Sequence, residues 1–173
     1  MRIGYADPPY PGMAHLYREH PDYAGEVDHA ELIARLEADY DGWVLHTAST
    51  TLTVLVPLLP DGARIGAWVK PFAAFKPNVS PAYAWEPVIF KPARKAGTGG
   101  LAGPTRDWVA ERITMQRGLT GAKPEAVCWW AFEILGAHPD DELHDMYPGS
   151  GAVSRAWDTW RATLRLPLYG GAA

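Results

Sequence analysis

The sequence has little of several features that mark whole classes of protein. Its 173 residues include one cysteine, Cys128, so no disulfide can form within the chain and a reducing, cytoplasmic location is expected. Cys128 is predicted to be a small buried residue. The six histidines lack metal-ligand spacing, so we expect no metal. No apolar run approaches membrane-spanning length and the start, MRIGYADPP, predicts no signal peptide, so we expect no membrane partner.

The chain also lacks an excess of positive charge. Its formal net charge is −4, which is not the usual composition of a protein built around nucleic acid. The charge is uneven, however, because residues 91–123 hold seven basic and two acidic residues, a net +5. This stretch contains the sequence GTGG at 97–100, and we predict a flexible basic loop over about 92–120.

The most distinctive motif is Asp7-Pro8-Pro9-Tyr10, directly after a short apolar run that predicts a strand over 3–6. A carboxylate accepts a hydrogen bond from an exocyclic amine, and a proline turn leaves carbonyls free to accept another. A tyrosine ring stacks on a base, which is worth about 1–3 kcal/mol. The motif therefore suits an amine such as adenine N6 or cytosine N4, although Asp-Pro-Pro also occurs in ordinary surface turns.

A second motif lies near the other end of the sequence. Residues 143–147 predict a strand, Pro148-Gly149-Ser150-Gly151 a tight turn, and 152–166 a helix. Glycines let a backbone approach a ligand closely, and Asp145 could bind an ammonium or a hydroxyl group. This combination fits a nucleotide-like cofactor with a carboxylate and an amino group. The alternative is a strand-to-helix turn whose glycines only allow the backbone conformation and bind no ligand.

A third segment, Lys123-Pro124-Glu125, precedes a predicted helix over 126–135, where Pro124 suits the first turn. In this order, the three segments resemble the S-adenosylmethionine-dependent DNA amino-methyltransferases. Asp7 to Tyr10 resembles their catalytic motif, and 145–151 resembles their Gly-rich motif, D-x-F-x-G-S-G. Having the catalytic motif first is similar to the permuted order of the beta group, and the small phage- or actinobacterium-type DNA methylase-like proteins are the nearest match.

The resemblance, which spans residues 3–157, implies a function and roles for named residues. The implied reaction is methyl transfer to the exocyclic amine of a DNA base, adenine N6 being favoured by the Asp, in a bacterial or phage-infected cell. The implied catalytic residues are Asp7, Pro8, Pro9 and Tyr10. The implied contacts to S-adenosylmethionine are Ala6, Lys123, Pro124, Asp145, Tyr147, Pro148, Gly149, Ser150 and Gly151.

The basic stretch is expected to contact DNA phosphates, the alternative being a solvated loop. The residues concerned are Arg94, Lys95, Arg106, Arg112 and Arg117. Because so small a domain has little with which to read a long sequence, we expect a short recognition site or a homodimer. Larger relatives add a strand ending in an acid that binds the cofactor ribose, whereas residues 165–173 hold no acid, so this contact is expected from elsewhere.

Two other functions stay open. The first is a catalytically reduced module that binds nucleic acid or a restriction component. The second is a methyltransferase for RNA or a small amine.

Alternating strands and helices predict an α/β fold, a single reduced Rossmann-like methyltransferase domain over 1–173 with an open, mostly parallel sheet of about five strands. The predicted strands are 3–6, 43–47, 63–69, 82–91 and 143–147, and the predicted helices are 28–40, 51–58, 126–135 and 152–166. Asp28 is predicted to cap the first helix and Gly42 to end it. Asp140-Asp141 predicts a solvated turn, and Glu86 is interpreted as structural or supporting.

Overall fold

A computed structural model describes residues 1–19, 23, 25–74, 79–94, 105–113 and 122–165. The strands are β1 (Arg2–Ala6), β2 (Gly42–His46), β3 (Arg64–Ala74), β4 (Tyr83–Lys91), β5 (Trp108–Ala110) and β6 (Glu142–Asp145). The α-helices are α1 (His29–Asp39), α2 (Leu52–Leu55), α3 (Glu125–Ile134) and α4 (Ala152–Leu164). Short 3₁₀ turns lie at Ala14–Tyr17, Ser49–Thr51 and Val56–Leu58.

The strands form one six-stranded sheet in the order β5-β3-β4-β2-β1-β6. Five strands run in the same direction, and β4 alone is antiparallel to its neighbours β2 and β3. The predicted open, mostly parallel α/β sheet is therefore confirmed, with six strands instead of about five. The added strand is β5, which pairs with β3 inside the stretch predicted as a flexible loop, so the structure corrects that prediction at 108–110.

Helices cover both faces of the sheet. One face carries α3 and α4, whose aromatic side chains meet in the core: Phe132 contacts the Trp157 ring edge-on at 4.9 Å, and Trp157 stacks on Trp160 at 5.1 Å. Such pairs are worth about 0.5–1.5 kcal/mol beyond the area that they bury. The opposite face carries α1, which packs Leu36 into a separate apolar cluster. Cys128 lies buried in α3, as predicted.

The start and end of α1 show how local sequence sets the elements. Asp28 accepts hydrogen bonds from the backbone N–H groups of Ala30 and Glu31 at 2.9 and 3.0 Å, as its predicted capping role requires. The prediction for Gly42 is wrong, because α1 ends at Asp39 and Gly42 is the first residue of β2. A Cβ on Gly42 would lie 2.4 Å from the backbone nitrogen of Ala93, so a close backbone contact requires glycine there.

The predicted helix over 51–58 forms only in part. Its α-helical part is the four residues of α2, with a 3₁₀ turn on each side. Pro57 lies in the second of these turns, where it has no N–H to donate and cannot continue an α-helix. The segment is therefore a compact connection between β2 and β3.

Asp141 is buried rather than solvated, which corrects the predicted turn. Its carboxylate accepts two hydrogen bonds from Arg94, at 2.6 and 2.8 Å, and one from the Met1 ammonium at 3.0 Å. Burial alone would raise the pKa of Asp141, but these partners lower it to about 2. Arg94 also donates to the Gly136 carbonyl at 3.1 Å, so this side chain holds the start of β6, and its predicted contact with a phosphate stays a prediction.

Candidate active site

The first and second motifs lie side by side at one edge of the sheet. Strand β1 pairs in parallel with β6, with Tyr5 beside Asp145, and the pairing continues through the Met146 N–H, which donates to the Tyr5 carbonyl at 2.9 Å. From β1 the chain turns to α1 on one face, while α3 and α4 lie on the other. Ligands of open α/β sheets bind at such a point, outside the carboxyl ends of the strands.

Asp7 forms an ion pair with Lys123. The Lys123 Nζ lies 2.8 Å from Asp7 Oδ2, and the two side chains are 7% and 20% exposed, respectively. Burial alone would lower the pKa of Lys123, but the negative charges around it, that of Asp7 first, raise it above its ordinary value. The ammonium is therefore charged at neutral pH. The resemblance implies a cofactor contact for Lys123, whereas the structure places it on the implied catalytic carboxylate.

Pro124 explains how Lys123 reaches that position. It is the N-cap residue of α3, and its carbonyl accepts hydrogen bonds from the N–H groups of Val127 and Cys128 at 3.0 and 3.1 Å. Because α3 packs on the sheet face that carries Tyr5, the residue before its cap lies above the end of β1. The Lys-Pro pair thus directs a cation to Asp7.

Tyr10 is held by two residues that lie outside the predicted site. Its hydroxyl donates to Glu86 Oε2 at 3.0 Å, and Lys70 forms an ion pair with Glu86 Oε1. Burial raises the pKa of Tyr10 well above its ordinary value, so the hydroxyl keeps its proton and can donate. Burial would also raise the pKa of Glu86, but Lys123 and Lys70 together lower it. The one sequence signal for this contact was a carboxylate inside an otherwise apolar strand.

The Gly-rich turn adopts a conformation that requires glycine. Gly149 has φ +43° and Gly151 has φ +70°, both in the left-handed region. Gly151 caps α4, and its N–H donates to the Pro148 carbonyl at 2.6 Å. A Cβ on Gly149 would have the Tyr147 carbonyl oxygen, at 3.9 Å, as its one neighbour within 4 Å among the described residues. The turn therefore presents bare backbone beside the end of β6.

Asp145, the last residue of β6, has weakly bonded carboxylate oxygens. They accept from the Tyr147 N–H at 3.3 Å and the Ser154 hydroxyl at 3.5 Å. Burial is the largest cause that raises the pKa of Asp145, and the charge of Asp7 adds to it. A half-buried carboxylate with long hydrogen bonds gains from a cationic partner, so the position suits an ammonium group.

A buried polar layer supports β1 below the motif. The Tyr5 hydroxyl bonds His46 Nε2 at 2.7 Å and lies 3.9 Å from the Cys128 sulfur. Burial and the nearby Lys123 lower the pKa of His46, so the ring is neutral. Burial raises the pKa of Cys128 to about 12, so this thiol is not a nucleophile.

The structure describes some of the residues that are predicted to contact phosphates. Arg106 and Arg112 are exposed on either side of β5, and the Arg106 guanidinium lies 5.4 Å from the centre of the Trp108 ring. Lys95 and Arg117 lie outside the described residues. Within the described ranges, His, Cys, Asp and Glu nowhere form a group of three that could hold a metal, and no described helix is long and apolar enough to cross a membrane.

Comparison with known proteins gives structural matches but no sequence family. No protein-family model matches the chain, and no curated protein matches its sequence. The crystal structure of the M1.HpyAVI–SAM complex matches with a TM-score of 0.61 at 17% identity, over 92% of this chain and 78% of that one. The chain has a methyltransferase-like fold. The crystal structure of M1.HpyAVI matches similarly, with a TM-score of 0.58 at 17% identity, over 92% and 76% of the two chains.

The predicted methyltransferase-like fold is thereby confirmed. A specific link with the small phage- or actinobacterium-type proteins stays a prediction, as do the roles of the individual residues.

Proposed function

We propose that this protein transfers a methyl group from S-adenosylmethionine to the exocyclic amine of a DNA base, with adenine N6 as the target. The observation that carries the proposal is the adjacency of two sites at the ends of β1 and β6. Asp7 and Tyr10 form the first, and Asp145 with the Gly-rich turn forms the second. Similarity to a structure that is a complex with SAM supports the choice of cofactor.

The residues of the second site fit S-adenosylmethionine. Asp145 offers an under-bonded carboxylate to the amino group, and the bare backbone at Gly149 allows close approach. When bound, the cofactor would supply an electrophilic methyl group on a positively charged sulfur. The residues proposed to hold it are Asp145, Tyr147, Pro148, Gly149, Ser150 and Gly151. Ala6 is fully buried among apolar residues, so its contribution would come from its backbone.

The first site orients the amine. Asp7 accepts one hydrogen of the amine and the Pro8 carbonyl accepts the other, which directs the nitrogen lone pair toward the second site. As the nitrogen–methyl bond forms and the sulfur–methyl bond breaks, the nitrogen becomes positively charged and then releases a proton. The Asp7 carboxylate stabilises that charge, and its partly exposed side chain gives the proton a route to water. Tyr10 provides the ring on which the base stacks.

Lys123 adds a requirement to this mechanism. Its ammonium is paired with Asp7 Oδ2, so the amine must donate its hydrogen to the other oxygen or share Oδ2 with the lysine. Lys123 therefore holds the carboxylate in one orientation before the base arrives. Fixing a group in advance lowers the reorganisation that the reaction needs.

The nucleic acid would bind over β5 and the neighbouring basic residues. Arg106 and Arg112 are exposed there, and we propose that they contact phosphates together with Lys95 and Arg117. A target base inside a duplex would have to flip out to reach Asp7, at a cost of a few kcal/mol. A homodimer remains part of the proposal as a way to lengthen the recognition surface.

Transfer of labelled methyl groups tests the proposal. Purified protein is incubated with labelled S-adenosylmethionine and unmethylated DNA or RNA, and the labelled nucleosides are identified by mass spectrometry. The Asp7→Asn variant is the control. Label in N6-methyladenine of DNA supports the proposal. Label in N4-methylcytosine would instead make cytosine the target base, and label in RNA would make RNA the substrate. If neither wild type nor Asp7→Asn labels any DNA or RNA nucleoside, the proposed enzymatic activity is overturned. That result favours a catalytically reduced module that binds nucleic acid.

A further inference from the structure

We propose that Glu86 and Lys70 are positioning residues that act through Tyr10 and fix the ring on which the target base stacks. This inference rests on the proposed function and deepens it, because it adds two residues, one from β4 and one from β3, to the substrate site. The chain of contacts runs from Tyr10 to Glu86 and from Glu86 to Lys70.

Tyr10 needs such an anchor because its own segment provides little. Residues 7–10 follow β1 without regular secondary structure, and the described backbone contact of Tyr10 is its carbonyl, which accepts from the Met13 N–H at 2.8 Å. That backbone contact does not itself fix the side-chain torsions of the tyrosine. The hydrogen bond from its hydroxyl to Glu86, 76 residues away, fixes the far end of the ring.

Glu86 is well placed to serve as that anchor. It lies on β4 opposite Trp68 of β3, so the sheet itself fixes its backbone. Each carboxylate oxygen has its own partner, Tyr10 on Oε2 and Lys70 on Oε1. The Lys70 and Glu86 side chains are 12% and 19% exposed, and Lys70 lies 5.0 Å from the centre of the Trp68 ring. The carboxylate therefore has one orientation, with an acceptor directed at the hydroxyl.

Stability alone does not account for this arrangement. Removing a lysine and a glutamate from water costs several kcal/mol for each ion, and a well-packed apolar pair is often as stable or more so. The Glu86 carboxylate links that pair to a residue of the Asp-Pro-Pro-Tyr motif. A phenylalanine would offer the same ring face for stacking but could not be held in this way.

The kinetic test compares Tyr10→Phe, Glu86→Ala and Glu86→Gln with the double variant Tyr10→Phe/Glu86→Ala. Tyr10→Phe and Glu86→Ala each remove the hydrogen bond and should each lower kcat about tenfold, while the KM for S-adenosylmethionine stays unchanged. Glu86→Gln, which still offers an oxygen to the hydroxyl, should recover much of the loss seen in Glu86→Ala. The double variant should be no slower than Tyr10→Phe alone.

Two kinetic results would overturn the inference. One is a loss from Glu86→Ala that is the same size in the Tyr10→Phe background, since Glu86 would then act by another route. The other is a wild-type kcat in Glu86→Ala. Lys70→Met should reproduce the kcat loss of Glu86→Ala in part, whereas the exposed Glu142→Gln should leave kcat unchanged.

A spectroscopic test separates this inference from the proposed function. The protein is labelled with 3-fluorotyrosine, and the ¹⁹F resonance of Tyr10 is assigned by its absence from Tyr10→Phe. In Glu86→Ala that resonance should shift and change width, and in Glu86→Gln it should stay near the wild-type position. An unchanged resonance in folded Glu86→Ala overturns the positioning role even if methyl transfer is observed. A shifted resonance supports the role even if no methyl transfer is found.

Discussion

Replacement of Lys123 by methionine tests the ion pair at the centre of the candidate site. Methionine keeps most of the side-chain length but removes the ammonium that lies 2.8 Å from Asp7 Oδ2. Asp7 and Glu86 would then remain as carboxylates in a largely buried site without that cation. Because the apolar stem is conserved, the loss of the charge should dominate the change in stability.

The magnitude follows from burial. Breaking a buried ion pair costs about 3–5 kcal/mol, and breaking an exposed one costs about 0–1 kcal/mol. Lys123 is nearly buried, but water still reaches part of Asp7, which favours the lower end of the first range. We expect the free energy of unfolding at pH 7 to fall by about 3 kcal/mol, which lowers the Tm of a domain of this size by about 6–12 °C.

The pH dependence has a definite sign. The pKa of Lys123 is raised in the folded protein, so its stabilisation is complete below the ordinary lysine pKa of about 10.4 and is lost above it. The difference between wild type and Lys123→Met should therefore be largest near pH 7. It should shrink above pH 10, and also toward pH 4, where Glu86, whose pKa Lys123 lowers in the wild type, can take up a proton in the variant.

Urea unfolding followed by tryptophan fluorescence measures this difference. The control is Glu142→Gln, which removes an exposed pair with Arg2 at 4.0 Å and should change the free energy of unfolding by less than about 0.5 kcal/mol. If Lys123→Met were within about 0.5 kcal/mol of wild type at pH 7, the ion pair would add no net stability. The reasoning above would then be refuted.

Three further predictions concern Asp7, the Gly-rich turn and Asp141. Asp7→Asn should lower the methyl-transfer rate at least about a hundredfold with little change in S-adenosylmethionine affinity by calorimetry, and an equal loss of both would remove Asp7 from its assigned role. Gly149→Ala should weaken cofactor binding about tenfold, whereas Gly62→Ala, at φ +83° in a distant turn, should cost about 1–2 kcal/mol of stability with no change in affinity. Asp141, with its pKa lowered to about 2, should contribute about 2 kcal/mol that is present above pH 4 and lost between pH 4 and 2. Asp141→Asn should remove that slope from acid unfolding curves, and an unchanged slope would contradict the assignment.

The sequence predicted the elements that carry strong local patterns. The Asp28 cap placed the start of α1, the Lys-Pro pair placed the start of α3, and the Gly-rich turn placed α4. β5 was not predicted, because Trp108 and Ala110 are exposed and three residues are too few to show alternation. Gly42 was assigned to a helix end because nothing near it in the sequence indicates the contact with Ala93.

In the candidate site, too, contiguous motifs could be predicted and contacts between distant residues could not. The two motifs were found from the sequence because each is contiguous. Lys123 and Glu86, the partners of Asp7 and Tyr10, lie 116 and 76 residues from them in the sequence and come together only when α3 and β4 pack. Likewise, Asp141 was expected to be solvated because neither Arg94 nor the Met1 ammonium is near it in sequence.

The candidate site lies at the ends of β1 and β6, two neighbouring strands that differ in how easily they open. β1 has a strand on each side, whereas β6 is the last strand in the described part of the chain and is paired on one side only. Backbone amides at an edge exchange with solvent through smaller openings than amides inside a sheet. The end of β6, which carries the Gly-rich turn, should therefore fluctuate while the end of β1, which carries Asp7, stays folded. A ligand on the Gly-rich turn should slow hydrogen exchange more in β6 than in β1, because it would close the edge that opens first.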